Sequence, residues 1–106
     1  MSKKVKEIGE DDFNEFISKG NVIVDFYADW CGPCKIMKPH FEKAAEKLKD
    51  IKFGKVDVDK NMDLAGRFHV MSIPTTIFFR DKEQVDRNTG AMSEEDIEKK
   101  ASQAFD

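Results

Sequence analysis

Cys31 and Cys34 are the only cysteines in 106 residues, and Gly32-Pro33 separates them. Residues three apart on a helix hold their Cβ atoms roughly 5–6 Å apart. That is close to the span a disulfide bridges, so the pair can open and close with a small adjustment of the turn. A sulfur at a helix start faces unpaired backbone N–H groups and the positive end of the helix dipole. Both favour thiolate, the form that attacks disulfides. Cys31 comes first and is expected to be partly exposed, which makes it the expected nucleophile. Cys34, one turn deeper, is expected to resolve the mixed disulfide. The intervening Gly32-Pro33 carries no titratable group. A His there would stabilise the thiolate further and make the disulfide more oxidising, so its absence points to a reductant.

Two other uses of the pair are open to the same residues. Half a zinc site needs two more ligands for a tetrahedron, yet there is no third cysteine, and His40 and His69 stand alone. Two inert core cysteines are the other alternative. The Gly-Pro insert and the strand-to-helix position argue against it. Redox chemistry without metal or cofactor is therefore the expectation.

The elements that position this pair are legible from periodicity. Residues 5–8 suggest a short strand. Phe13, Phe16 and Ile17 recur at helical spacing behind the acidic run Glu10-Asp11-Asp12, and Gly20 suits a stop. Val22 to Tyr27 is β-branched and aromatic, as a buried strand requires. Met37, Phe41, Ala44 and Leu48 form one stripe of a long helix after the cysteines. Inside it Pro39 removes a hydrogen bond to the Lys35 carbonyl and predicts a kink.

Residues 52–58 suggest a strand, and Leu64 with Phe68 a short helix. Thr75 to Arg80 and Gln84 to Asn88 suggest a strand pair across a polar turn. Ser93 is an N-cap for a last helix whose buried face is Ile97, Ala101, Ala104 and Phe105, with Met92 packing on Ile97 as a staple. The order β-α-β-α-β-α-β-β-α predicts one α/β domain over residues 1–106. Its sheet is expected to be largely parallel, covered on both faces and closed by an antiparallel pair.

Composition narrows the function classes. Charged residues make up 37% of the chain, but both signs are interspersed and the net charge is −3. No basic stripe suits nucleic acid, and the apolar runs are too short for a membrane span. Met1-Ser2-Lys3-Lys4-Val5-Lys6-Glu7 has no apolar stretch behind its lysines, so no secretory signal is visible and a cytoplasmic location is expected. In a reducing compartment a lone C-x-x-C is more often catalytic or metal-binding than structural.

The run Val24-Asp25-Phe26-Tyr27-Ala28-Asp29-Trp30-Cys31-Gly32-Pro33-Cys34-Lys35 resembles the active-site segment of thioredoxins. Pro39, Lys55, Asp57-Val58-Asp59, Ile73-Pro74-Thr75 and Gly90-Ala91 follow in that family's order and spacing. The resemblance implies the thioredoxin fold, a five-stranded mixed sheet flanked on both faces by four helices. It implies reduction of protein disulfides by dithiol–disulfide exchange, with recharging by a thioredoxin reductase. Implied clients are ribonucleotide reductase, peroxiredoxins and methionine sulfoxide reductases, served by a monomer. The rivals are an oxidase or isomerase of the same fold, and a redox-silent thioredoxin-fold interaction subunit.

Period two places Asp25 on the face of Ile23 and Tyr27, where burial disfavours its charged form. The resemblance makes Asp25 the buried acid that shuttles a proton to and from Cys34, with Lys55 beside it. The alternative is a structural Asp25–Lys55 pair. Pro74 is expected trans from sequence alone, whereas the resemblance makes Ile73-Pro74 a cis bond opposite the cysteines. There the Ile73 backbone would pair with an extended client. Trp30, Ile73, Pro74 and Gly90 are the implied client-binding residues, although Trp30 could equally be core and Gly90 an ordinary turn glycine. Two departures stand out. Tyr27 replaces the Trp common in the family, and Arg80-Asp81-Lys82-Glu83 lacks the usual glycine, which leaves its turn type open.

Overall fold

Within residues 4–106, which the computed structural model describes, the elements run in the predicted order. They are β1 (Val5–Glu7), α1 (Phe13–Ile17), β2 (Asn21–Tyr27), α2 (Gly32–Lys47), β3 (Lys52–Asp57), α3 (Met62–Arg67), β4 (Thr75–Arg80), β5 (Glu83–Thr89) and α4 (Glu94–Ala104). Ile8, expected to close the first strand, lies just past β1, but its N–H still donates to the Lys55 carbonyl at 2.9 Å.

The sheet order is β1-β3-β2-β4-β5. β3 runs parallel to β1 and to β2, whereas β4 is antiparallel to both β2 and β5. The sheet is therefore evenly mixed, and the expectation of a largely parallel sheet is corrected. Alternating elements imply a parallel crossover only when the intervening helix carries the chain back along the sheet. Here α3 has six residues, only about 9 Å of rise. The chain then enters β4 at the end where β2 finishes, with Thr75 paired to Phe26. That reversal sets the Ile73-Pro74 turn beside the C-terminal end of β2, next to the cysteines.

Period two along β2 divides the core. Val22, Val24 and Phe26 face α1 and α3 with Phe13, Ile17, Leu64 and Phe79. Phe13 stacks edge-on to Phe79 at 5.8 Å between centroids, and Phe68 does so at 5.4 Å. Ile23 faces the other layer, with Met37, Phe41, Ala44 and Ala45 of α2 and Ile97 and Ala101 of α4. The helical stripe of α2 is as predicted, except that Leu48 serves as the C-cap, partly buried against this cluster. α2 continues unbroken through Pro39.

Gly54 in β3 answers a packing demand. A Cβ there would stand 2.7 Å from Phe16 Cε2, inside van der Waals contact. The β4–β5 turn needs no glycine. Asp81 and Lys82 take left-handed conformations with φ of 47° and 79°, as a two-residue hairpin of the right twist requires. Asp81 is pinned there by Gly20, whose N–H donates to the Asp81 carboxylate at 2.8 Å while its carbonyl accepts the Asp81 N–H at 2.9 Å.

Candidate active site

Cys31 is the N-cap residue of α2 and has extended backbone geometry (φ −82°, ψ 115°). Its Sγ accepts the Cys34 N–H at 3.2 Å, one of the amides a helix start leaves unpaired. Pro33 stands at the start of the helix, where its missing N–H costs nothing. The first turn holds no acidic residue, so no carboxylate competes for the positive end of the dipole. Cys31 and Cys34 are joined by a disulfide with Cα atoms 5.2 Å apart.

The expected exposure of Cys31 is corrected. In the disulfide form Cys31 is 4% exposed and Cys34 is 5%, with the Cys31 sulfur held between its partner, the Cys34 N–H and the Ile73 carbonyl. What separates the sulfurs is the hollow each one borders. Cys34 borders a pocket of about 350 Å³ that also contains Asp25 and Lys55. Cys31 borders a largely apolar groove of about 490 Å³ on the other side.

Asp25 is buried, as its place on β2 predicts, and its Oδ1 has no hydrogen-bond partner among the described residues. Burial pushes its pKa up to about 7, while the Lys55 charge draws it partly back. Lys55 is its register partner in β3, yet no ion pair joins them within 4 Å among the described residues. The Lys55 ammonium instead lies 5.4 Å from the centre of the Tyr27 ring. The Tyr27 hydroxyl donates to Glu7 at 2.9 Å, and burial first, then this bond, raises its pKa.

On the groove side Trp30 is 68% exposed, so it is not a core residue. Its indole N–H donates to Asp59 at 2.8 Å, and the Asp59 N–H donates to Asp57 at 2.9 Å. Trp30, Val58, Val70, Met71 and Ile73 line the groove with Cys31, Gly32 and Pro33. The Ile73-Pro74 bond is cis, and the Ile73 carbonyl oxygen lies 3.8 Å from Cys31 Sγ. Thr75 ties this turn by donating to the Ser72 carbonyl at 2.6 Å.

Gly90 does not line the groove. Its φ of +104° favours glycine, and its N–H donates to the Pro74 carbonyl at 2.8 Å. Sequence reasoning missed Val58, Val70, Met71 and the Asp59 brace on Trp30. The available signal was that Val70 and Met71 sit directly before the Ser72-Ile73-Pro74 turn.

A disulfide that closes the first turn of a helix, at an edge where strand ends meet an apolar groove, defines a thiol–disulfide oxidoreductase of the thioredoxin fold. The thioredoxin family model matches residues 4–103. A thioredoxin of Chlamydia pneumoniae is 42% identical over 91 residues, covering 86% of this chain and 89% of that one. A thioredoxin of Mycoplasma pneumoniae is 40% identical over 101 residues, 95% of each chain. Among solved structures, a thioredoxin variant from Halobacterium salinarum superposes with a TM-score of 0.90 at 33% identity, covering all of this chain and 96% of that one. The thioredoxin of Malassezia sympodialis gives 0.85 at 32% identity, covering 96% and 91%. The chain belongs to the thioredoxin family. It is a protein-disulfide oxidoreductase, and its partners as a family member are a reductase and disulfide-bearing clients. No helix among the described residues is long and apolar enough to cross a membrane.

Proposed function

We propose that the reduced chain acts as a single-domain cytoplasmic reductant, with Cys31 as nucleophile and Cys34 as resolving thiol. The observation that carries this reading is the Cys31 sulfur at the N-cap, accepting the Cys34 N–H in a first turn free of acid. In the reduced chain that amide and the helix dipole stabilise a Cys31 thiolate. The thiolate attacks one sulfur of a client disulfide, forming a mixed disulfide and expelling the other client sulfur as thiolate. Cys34 then loses its proton and attacks Cys31 Sγ. The Cys31–Cys34 bond forms, the mixed bond breaks, and the second client sulfur leaves. Two electrons pass to the client, and a reductase later returns two to the pair.

Asp25 is the proton acceptor for Cys34. Its carboxylate, with Oδ1 left without a hydrogen bond among the described residues, shares the Cys34 pocket, and a pKa of about 7 lets it both take and return a proton near neutrality. Lys55 tunes that carboxylate by charge from across the strand pair. The groove takes an extended apolar client segment beside its disulfide, with Trp30 and Ile73 as the apolar contacts, Pro74 setting the turn, and Gly90 holding the Pro74 carbonyl from behind. Use of both cysteines in the one redox pair leaves none for a structural bridge, which supports the cytoplasmic assignment. Ribonucleotide reductase, peroxiredoxins and methionine sulfoxide reductases are the proposed clients, and the working form is a monomer.

The test is a Cys34→Ser variant incubated with a disulfide client. Mixed disulfides should accumulate through Cys31, while a Cys31→Ser variant captures nothing. Equal capture through either cysteine would refute the assignment of roles. A reduction potential at or above that of the glutathione pool would favour the oxidase or isomerase alternative.

A further inference from the structure

Methionine is an adaptable apolar residue whose thioether is open to oxidation when exposed. Of the five methionines, Met37 and Met92 are buried in the layer beneath α2 and α4. Met62 and Met71 are exposed, at 74% and 92%. Among the described methionines only Met71 lines the groove beside Cys31, where it extends the apolar wall formed by Trp30, Val58, Val70 and Ile73. Met62, at the start of α3, lines neither hollow that borders the disulfide.

We propose that Met71 is an oxidative modification site through which a hydroperoxide weakens protein-client docking without touching the cysteines. In the step a Met71 thioether lone pair attacks the terminal peroxide oxygen. An S–O bond forms, the O–O bond breaks, and the leaving oxygen takes a proton to become water or an alcohol. The sulfur loses two electrons and the peroxide gains them. The product sulfoxide is a strong hydrogen-bond acceptor on a surface that must be dehydrated when an apolar client segment covers it. The Cys31–Cys34 disulfide is the form that coexists with oxidants. Both of its sulfurs are buried and already bonded, whereas the Met71 side chain is nearly fully open. Met71 is therefore the part of the site that registers peroxide while the redox pair is closed.

The inference rests on the groove being the client surface, and its test separates the two. The disulfide form is treated with hydrogen peroxide until mass spectrometry shows both Met62 and Met71 as sulfoxides. The cysteines are then reduced with dithiothreitol. Rates are measured on insulin as a protein client and on hydroxyethyl disulfide as a small one. Treatment should lower kcat/KM for insulin by roughly five- to tenfold and leave the small disulfide unaffected. Met62→Leu should lose activity on treatment as the parent does. Met71→Leu should show a treated-to-untreated ratio near one.

An unchanged insulin rate with Met71 fully oxidised overturns the proposal. So does an equal loss on both substrates, which would place the damage at the sulfurs, or a loss in Met71→Leu as large as in the parent. Failure of the groove reading itself has a different signature: Trp30→Ala would then reduce insulin as fast as the parent.

Discussion

Two helix starts in this protein use the same offset for opposite ends. At α4 the Ser93 hydroxyl accepts the Asp96 N–H at 3.1 Å, and the Asp96 carboxylate accepts the Ser93 N–H at 3.3 Å. At α2 the Cys31 sulfur accepts the Cys34 N–H at 3.2 Å, and the two side chains close the ring by a covalent bond instead. Each is a cap joined to its third helical residue. The α4 ring satisfies orphan amides with oxygen and fills its first turn with Glu94, Glu95 and Asp96. The α2 ring uses sulfur and admits no acid into the first turn. A helix start can thus spend its positive end on stability or hold it for an anion that comes and goes.

The largest effect that tests this contrast is at Cys31. Cys31→Ser puts a hydroxyl oxygen in the cap position in place of sulfur, so the helix should persist by circular dichroism. Disulfide reduction should fall to background, a loss of at least about a thousandfold, since serine at neutral pH is almost wholly protonated. The Ser93 cap has no such chemistry to lose.

Next comes Asp25, the carboxylate that the α2 site leaves without a partner. Its folded pKa of about 7 lies above the 3.8 of a free Asp, so the unfolded chain releases that proton more easily. The native state therefore loses stability as pH rises from about 4 to about 7, and the loss is constant above that. Asp25→Asn should gain on the parent over that window, reaching about 4 kcal/mol at pH 8. Urea unfolding of the two disulfide forms at pH 4 and pH 8 measures it. A gap that does not widen with pH would mean that Asp25 is not a buried, unpaired acid.

At α4, Ser93→Ala removes only the oxygen acceptor. It should cost about 1 kcal/mol in denaturant unfolding and leave client reduction unchanged. The smallest effect sharpens the contrast most. Gly32→Asp gives α2 the acidic first turn that α4 already has, at a position where a Cβ meets nothing within 4 Å. The added charge should disfavour the Cys31 thiolate by about 0.3–1 kcal/mol, read as an upward shift in thiolate absorbance against pH. No change there would show that the backbone amide alone holds the anion.

The two regions also differed in how far the sequence announced them. Ser93 with its acidic first turn and Met92 with Ile97 are local patterns, and the α4 cap forms as they predict. The alternation along β2 likewise put Asp25 on a buried face, because side-chain direction in a strand follows from the backbone alone. The direction of β4 was not local. It depends on where a six-residue helix leaves the chain, and only the packed layers settle that.

The order of elements, the buried face of α2, the helix-start cysteine pair and the buried acid are properties of the chain read residue by residue. Each follows from a period or an offset within about ten positions. The tertiary structure alone decided that the Ile73 carbonyl comes within 3.8 Å of Cys31 and that Lys55 lies over Tyr27 without pairing with Asp25. It likewise divided the two sulfurs between a polar pocket and an apolar groove. The first two are contacts between residues 28 or more positions apart in sequence, brought together by strand pairing. Their distances are fixed by how the layers pack, which no local pattern encodes.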